Sequence, residues 1–134
     1  MKALSVRGDY VMEMINGHKK VEYRTWKTNY RGPILMCSTT KKVAGAAPGY
    51  ALCIMNLEQI TWSDIDQCYY WYINWKSVIE PIHVKGQLKL FSVEDNLIKP
   101  ISHQKFDQKI KSLIYQPKRK SKCNIYNYVK YLVD

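Results

Sequence analysis

The stretch INGHKKVEYRTWKTNYRGPILMC, Ile15 to Cys37, holds five Lys or Arg, one His, a single carboxylate and a Trp between two apolar segments. Asn16-Gly17 reads as the end of a helix, because glycine just past a helix accepts the left-handed conformation without strain. KVEYR then alternates, with Val21 and Tyr23 on one side and Lys20, Glu22 and Arg24 on the other, the period of a strand. After the turn NYRGP, GPILMCS is a second strand. A helix-to-strand join needs turn chemistry but no charge cluster, yet Lys19, Glu22 and Arg24 fall there together. Glu22 and Arg24 share a strand face. Lys19 has the wrong parity for that face but sits in the turn after Gly17, from which it can swing in.

Upstream, KALSV predicts a short strand. From Asp9 to Asn16, Val11, Met14 and Ile15 recur at helical spacing, with Asp9 as the expected N-cap. Downstream, residues 39–49 read as a loop of small and basic residues. YALCIMNLEQI reads as a strand buried on both sides. TWSDID reads as a turn or helical start capped by Ser63. QCYYWYINW alternates aromatics, with Tyr69, Trp71, Ile73 and Trp75 on one face and Tyr70, Tyr72 and Asn74 on the other; Trp71 is expected inside, with one Tyr free for the cleft. Pro81 is expected to end or kink that strand. A turn at Gly86 leads to a last strand near Leu88–Val93. Ser102 then caps a helix carrying Phe106, Ile110, Leu113 and Ile114, QPKRKSK breaks it, and NIYNYVKYLVD returns to helical spacing with strand-favouring residues. This pattern predicts a small mixed β-barrel with helices packed beside it, an α+β fold. Residues 1–95 would form the barrel, and residues 96–134 a basic, helical extension packing on the same domain.

The 134 residues suit one core, and 46% hydrophobic against 24% charged residues predicts a folded globule. A net charge of +10 with 11 Tyr suits a surface that meets phosphates and flat rings. The charge is uneven: residues 1–42 carry nine Lys or Arg and three acids, residues 43–102 four and six, and residues 103–134 eight and two. Two basic ends thus flank an acidic middle and would make one positive face if they met. The opening residues meet Arg7 and Asp9 before any apolar run develops, and Val43–Met55 is too short and too broken to span a bilayer. No leader and no membrane partner are expected, and the location is expected to be cytoplasmic. Cys37, Cys53, Cys68 and Cys123 make no C-x-x-C pair, and His18, His83 and His103 stand at no ligand spacing to them. Free thiols are expected, with no metal and no cofactor.

Gly17-x-Lys19-x-x-Glu22-x-Arg24, followed by TWKTNYRGPILMCS, resembles the signature of the ASCH domain, a member of the PUA-like superfamily. ALSVR, PGYAL, YYWYI…PIHVKG and LKLF extend the resemblance in the same order across roughly residues 2–93. It implies a small β-barrel with a helix beside it, a cleft between them, and a role near RNA or nucleotides. Some family members are proposed ribonucleases. Related small bacterial proteins hydrolyse acyl amides on cytidine with a Thr nucleophile activated by the motif lysine. Here Glu22 stands at the position of that Thr, and a carboxylate beside Lys19 would keep it protonated rather than basic. A second departure is Gly8-Asp9-Tyr10 where many members have QPW.

The candidate ligand-binding residues are Lys19, Glu22 and Arg24, joined by Ser5 and Arg7 at the end of the first strand, Ser38 and Lys41 near the end of the strand GPILMCS, and Tyr70. Lys and Arg can hold a phosphate or carbonyl oxygen, and Glu22 can orient them or accept from a base amino group. The alternative for these charges is an ion network fixing helix to barrel. As functions, an RNA- or nucleotide-binding module stands first. An enzyme on such a ligand, with Lys19 and Glu22 as its catalytic pair, is the alternative: an amide hydrolase or a metal-independent ribonuclease. A protein-interaction adaptor is the third.

Overall fold

The first strand, β1 (Lys2–Val6), does not pair with its neighbour in sequence. It runs parallel to β3 (Gly32–Ser38), with Ala3 opposite Leu35 and Val6 opposite Ser38. The intervening chain must therefore cross over, and it does so through the helix α1 (Gly8–Ile15) and the short strand β2 (Val21–Arg24). The remaining elements are two long strands, β4 (Tyr50–Ser63) and β5 (Cys68–His83), the two-residue β6 (Phe91–Ser92), a 3-10 turn (Asp95–Leu97) and the helix α2 (His103–Ile110). The computed structural model describes residues 1–118. The expected second basic helix, and all of the KRKSK run after Lys118, lie outside these.

The strands form one mixed sheet in the order β2-β5-β4-β3-β1-β6. Its centre is buried on both faces. Along β3, Ile34 and Met36 join one apolar cluster with Leu4, Val6, Val11, Met14, Trp71 and Phe106, while Leu35 and Cys37 join another with Ala3, Ala51, Ile79 and Phe91. Both helices pack on the first cluster. This explains why GPILMCS and YALCIM read as continuous apolar runs without alternation.

The expected closed barrel does not form. The register slips in β4 and β5 between Ala51 and Cys53, Ile54 and Met55, and Leu57 and Gln59, and such bulges bend a long hairpin. Closure needs a last strand long enough to pair with β2. The chain forms only Phe91–Ser92 of the expected Leu88–Val93 strand, and Lys89 before it takes a positive φ of 58°. The result is an open α+β sheet with β2 and β6 as edges.

Other local expectations shift as well. Asp9 does not cap α1. The cap position is Arg7, with no side-chain bond, while Asp9 pairs with Arg7 at 2.9 Å and accepts from the Tyr10 amide within the first turn. Pro81 does not end β5. It sits where Val78 pairs with Cys53 and Ile82 with Ala51, so three residues oppose one and no ladder bond is asked of its missing N–H. TWSDID begins as strand, because β4 runs to Ser63; the turn follows, with Ser63 Oγ accepting from the Asp66 amide. Trp75 does not join the core: it is partly exposed and lies against His103 at the start of α2. Ser102 Oγ does cap α2, accepting from the Lys105 amide, and Phe106 and Ile110 are buried. Two backbone bonds, Gly45 to Tyr115 and Tyr115 to Ala46, tie the chain after α2 to the loop before β4.

Candidate functional site

The end of α1 sets the geometry. Gly17 takes a φ of +81°, and the amides of His18 and Lys19 both turn back to the Glu13 carbonyl. That fold-back lays Lys19 beside the helix. β2 then pairs with β5, placing Glu22 opposite the buried Trp71 and Arg24 opposite Tyr69. Glu22 therefore points inward and is only 5% exposed.

A buried carboxylate needs partners, and Glu22 has three. Its Oε1 accepts from the Tyr23 amide at 3.1 Å and lies 3.7 Å from Lys19 Nζ. Its Oε2 accepts from Arg24 Nη2 at 3.4 Å. Arg24 Nη2 also donates to the Ser5 carbonyl at 2.8 Å, which ties β2 to the end of β1. Lys19 Nζ stands 4.9 Å from the ring centres of both Tyr10 and Tyr23, so its ammonium is held between two aromatic faces. Two cations around one carboxylate leave the cluster with one net positive charge.

The cluster faces two linked concavities. One, of about 670 Å³, is lined by Tyr10, Glu13, His18, Lys19, Glu22 and Tyr23. The other, of about 450 Å³, shares Tyr10, Glu22 and Tyr23 with it and adds Ser5, Arg7, Arg24, Trp26 and Thr39. Trp26 meets Trp71 edge to face at 4.8 Å and accepts its indole N–H, so it is both core rim and cleft wall.

Lys19, Glu22, Arg24, Ser5 and Arg7 thus come together. The other three candidates lie apart. Ser38 is buried beside Gly8 and Ala46, where a Cβ on Gly8 would lie 2.8 Å from Ala46 Cβ, and its hydroxyl has no partner. Lys41 is exposed on the loop after β3 and lines neither concavity. Tyr70 lies opposite Tyr23 on the outer face, meets it edge to face at 5.1 Å, and its hydroxyl donates a hydrogen bond to Asp66 Oδ2. Besides Tyr10, the Tyr that reaches the cleft is Tyr23. Strand parity assigns it to the other face, but β2 is an edge strand, so the side chain wraps the edge to meet Lys19.

Cys37 and Cys53 are buried and line neither concavity. Burial pushes Cys37 up to about 12 and pushes Cys53 higher still. Among the described residues no group of three or more His, Cys, Asp or Glu is placed to hold a metal ion, and no helix is long and apolar enough to cross a membrane.

An open mixed sheet with a crossover helix, and a Gly-x-Lys-x-x-Glu-x-Arg cluster in the cleft between that helix and an edge strand, defines a small α+β domain with a polar, cation-rich pocket. The ASCH domain family model matches residues 4–91, and the chain belongs to the ASCH domain family. No curated protein sequence matched it.

Proposed function

We propose that this chain is an RNA- or nucleotide-binding module whose cleft takes a phosphate together with a base. The observation that carries this reading is the Lys19–Glu22–Arg24 cluster, with its excess positive charge, set between the exposed rings of Tyr10 and Tyr23. The two cations suit a phosphate oxygen. The tyrosine faces suit a stacked base. The remaining acceptor capacity of Glu22 suits an exocyclic amino group. Membership of the ASCH domain family and the net charge of +10 support the same reading.

The pairing of Lys19 with Glu22 favours binding over amide hydrolysis. Lys19 lies 3.7 Å from the Glu22 carboxylate and is engaged with it, and position 22 offers no hydroxyl. The expectation is that acylated cytidine is left intact, and that Glu22→Thr gains some turnover by freeing Lys19. Rapid hydrolysis by the natural chain, lost in Lys19→Ala, would put the enzyme first.

The direct test is a titration of labelled single-stranded RNA and of free nucleotides at rising salt. Binding should weaken by roughly 0.7 log units per log unit of salt for each phosphate neutralised. No binding of either ligand at low salt removes the proposal.

A further inference from the structure

The groove does not stop at Arg24. A third concavity, of about 530 Å³, opens beyond it and shares Ser5 and Thr39 with the second. Thr40, Lys85, Gly86 and Gln87 complete its polar wall. The first two concavities include the carboxylates Glu13 and Glu22, whereas the third includes none. Its polar groups are three hydroxyls, an amide and an ammonium. Lys85 is exposed and pairs with no carboxylate among the described residues.

The Ser5 hydroxyl is the second observation. It is buried and has no hydrogen-bond partner, although buried polar atoms are rarely left so. It stands where the second and third concavities join. Its backbone carbonyl already holds Arg24, so one residue links the motif cluster to the far end of the groove. Gly86 packs so close that a Cβ there would lie 2.6 Å from Ser5 Oγ. Glycine lets the main chain close on Ser5, so that this wall of the third concavity is bare backbone.

We propose that Ser5, Thr39, Thr40 and Lys85 form a second phosphate subsite, so that the ligand is a single strand running from Lys19 past Arg24 to Lys85. This rests on the nucleotide-binding reading of the cleft and gives it a substrate class. Each concavity alone falls in the size range of a small-ligand pocket. A mononucleotide occupies one; only a polymer engages all three. Hydroxyls and a lone ammonium without a carboxylate suit a backbone phosphate, whereas the end holding Glu13 and Glu22 is better suited to reading a base.

The experiment compares a mononucleotide, oligouridylates of increasing length and inorganic phosphate on the natural chain, Lys85→Ala and Gly86→Ala. Affinity should rise with length and then level off. Lys85→Ala should weaken long strands several-fold, leave the mononucleotide unchanged, and lower the salt slope by about 0.7. Gly86→Ala should act on the same ligands by pushing into Ser5; if it fails to fold, the exposed Lys85 substitution still decides. Equal affinity at all lengths with a silent Lys85→Ala overturns the subsite and leaves the proposed function standing. Inorganic phosphate held through Lys85 with no gain from length overturns the strand. No binding of any nucleotide or strand overturns both readings.

Discussion

Two ion-paired carboxylates, Glu80 and Glu22, are built in opposite ways. Glu80 on β5 meets Lys109 of α2 at 2.7 Å, with both side chains more than 40% exposed. Glu22 is buried, and its two cations stand off at 3.4 and 3.7 Å. If ion pairing served only to fasten elements, the buried pair would be the one to close to contact, because desolvation is repaid only by good geometry. Here the reverse holds. The surface pair is a fastener between a helix and a strand. The buried cluster holds its cations apart, with spare charge facing a cavity.

The largest expected effect tests the buried side of that contrast. Glu22→Ala leaves Lys19 and Arg24 without the charge between them and should lower unfolding stability by about 3 kcal/mol in urea titrations. Glu22→Gln, which still accepts from the Tyr23 amide, should lose less. A loss from Glu22→Ala of under about 1 kcal/mol, the range of exposed pairs, would erase the distinction.

Ligand affinity gives the next effect. Arg24→Ala should weaken RNA or nucleotide binding about tenfold, equivalent to about 1.4 kcal/mol, because it removes a charge-assisted donor from the cleft. Arg24→Lys should not fully restore it, since the compact lysine ammonium differs in shape and reach from the planar guanidinium whose Nη2 contacts both Glu22 and the Ser5 carbonyl. Lys109→Ala should leave affinity unchanged. Equal losses from Arg24→Ala and Lys109→Ala would mean that both cations act only through overall charge.

Much of this was legible in the chain. The motif spacing places Lys19, Glu22 and Arg24 together, because a glycine stop followed by a period-2 strand constrains both direction and parity. The helix at Phe106 and Ile110 is legible from its serine cap and its 3.6 period. What escaped depends on partners. Whether the sheet closes hinges on whether LKLF pairs, and four apolar-rich residues read as a strand whether or not a neighbour is in reach. Tyr23 was hidden by parity, which assumes a strand with neighbours on both sides and fails at an edge. Tyr70 keeps the outer face that alternation gives it but lines neither of the first two concavities, and Trp75 stays opposite Met55 yet lies partly exposed against His103; alternation along QCYYWYINW gives the face, not what covers it. Ser38 has the residue type of a site and the position of a strand end, and only the packing of Gly8 and Ala46 reveals that it faces neither concavity.

The smallest expected effect belongs to the surface pair, and its sign follows from protonation. The hydrogen bond and charge of Lys109, with help from Lys99 and Lys105, hold the Glu80 carboxyl below the usual carboxylate range. The ionised form is thus favoured in the folded chain, while the unfolded chain takes up its proton at a higher pH. The pair's contribution is therefore fully present above the ordinary carboxylate pKa and fades as pH falls through the lowered folded value. Glu80→Gln should melt slightly below the natural chain at neutral pH, and the two should converge in acid. Added salt should narrow the gap at neutral pH, because the pair is solvent-exposed and screened. A gap that persists unchanged in acid and in high salt would show that Glu80 acts through its shape. α2 would then be held by its apolar contacts, Phe106 and Ile110 foremost, and the contrast between a fastening pair and a binding cluster would lose its first member.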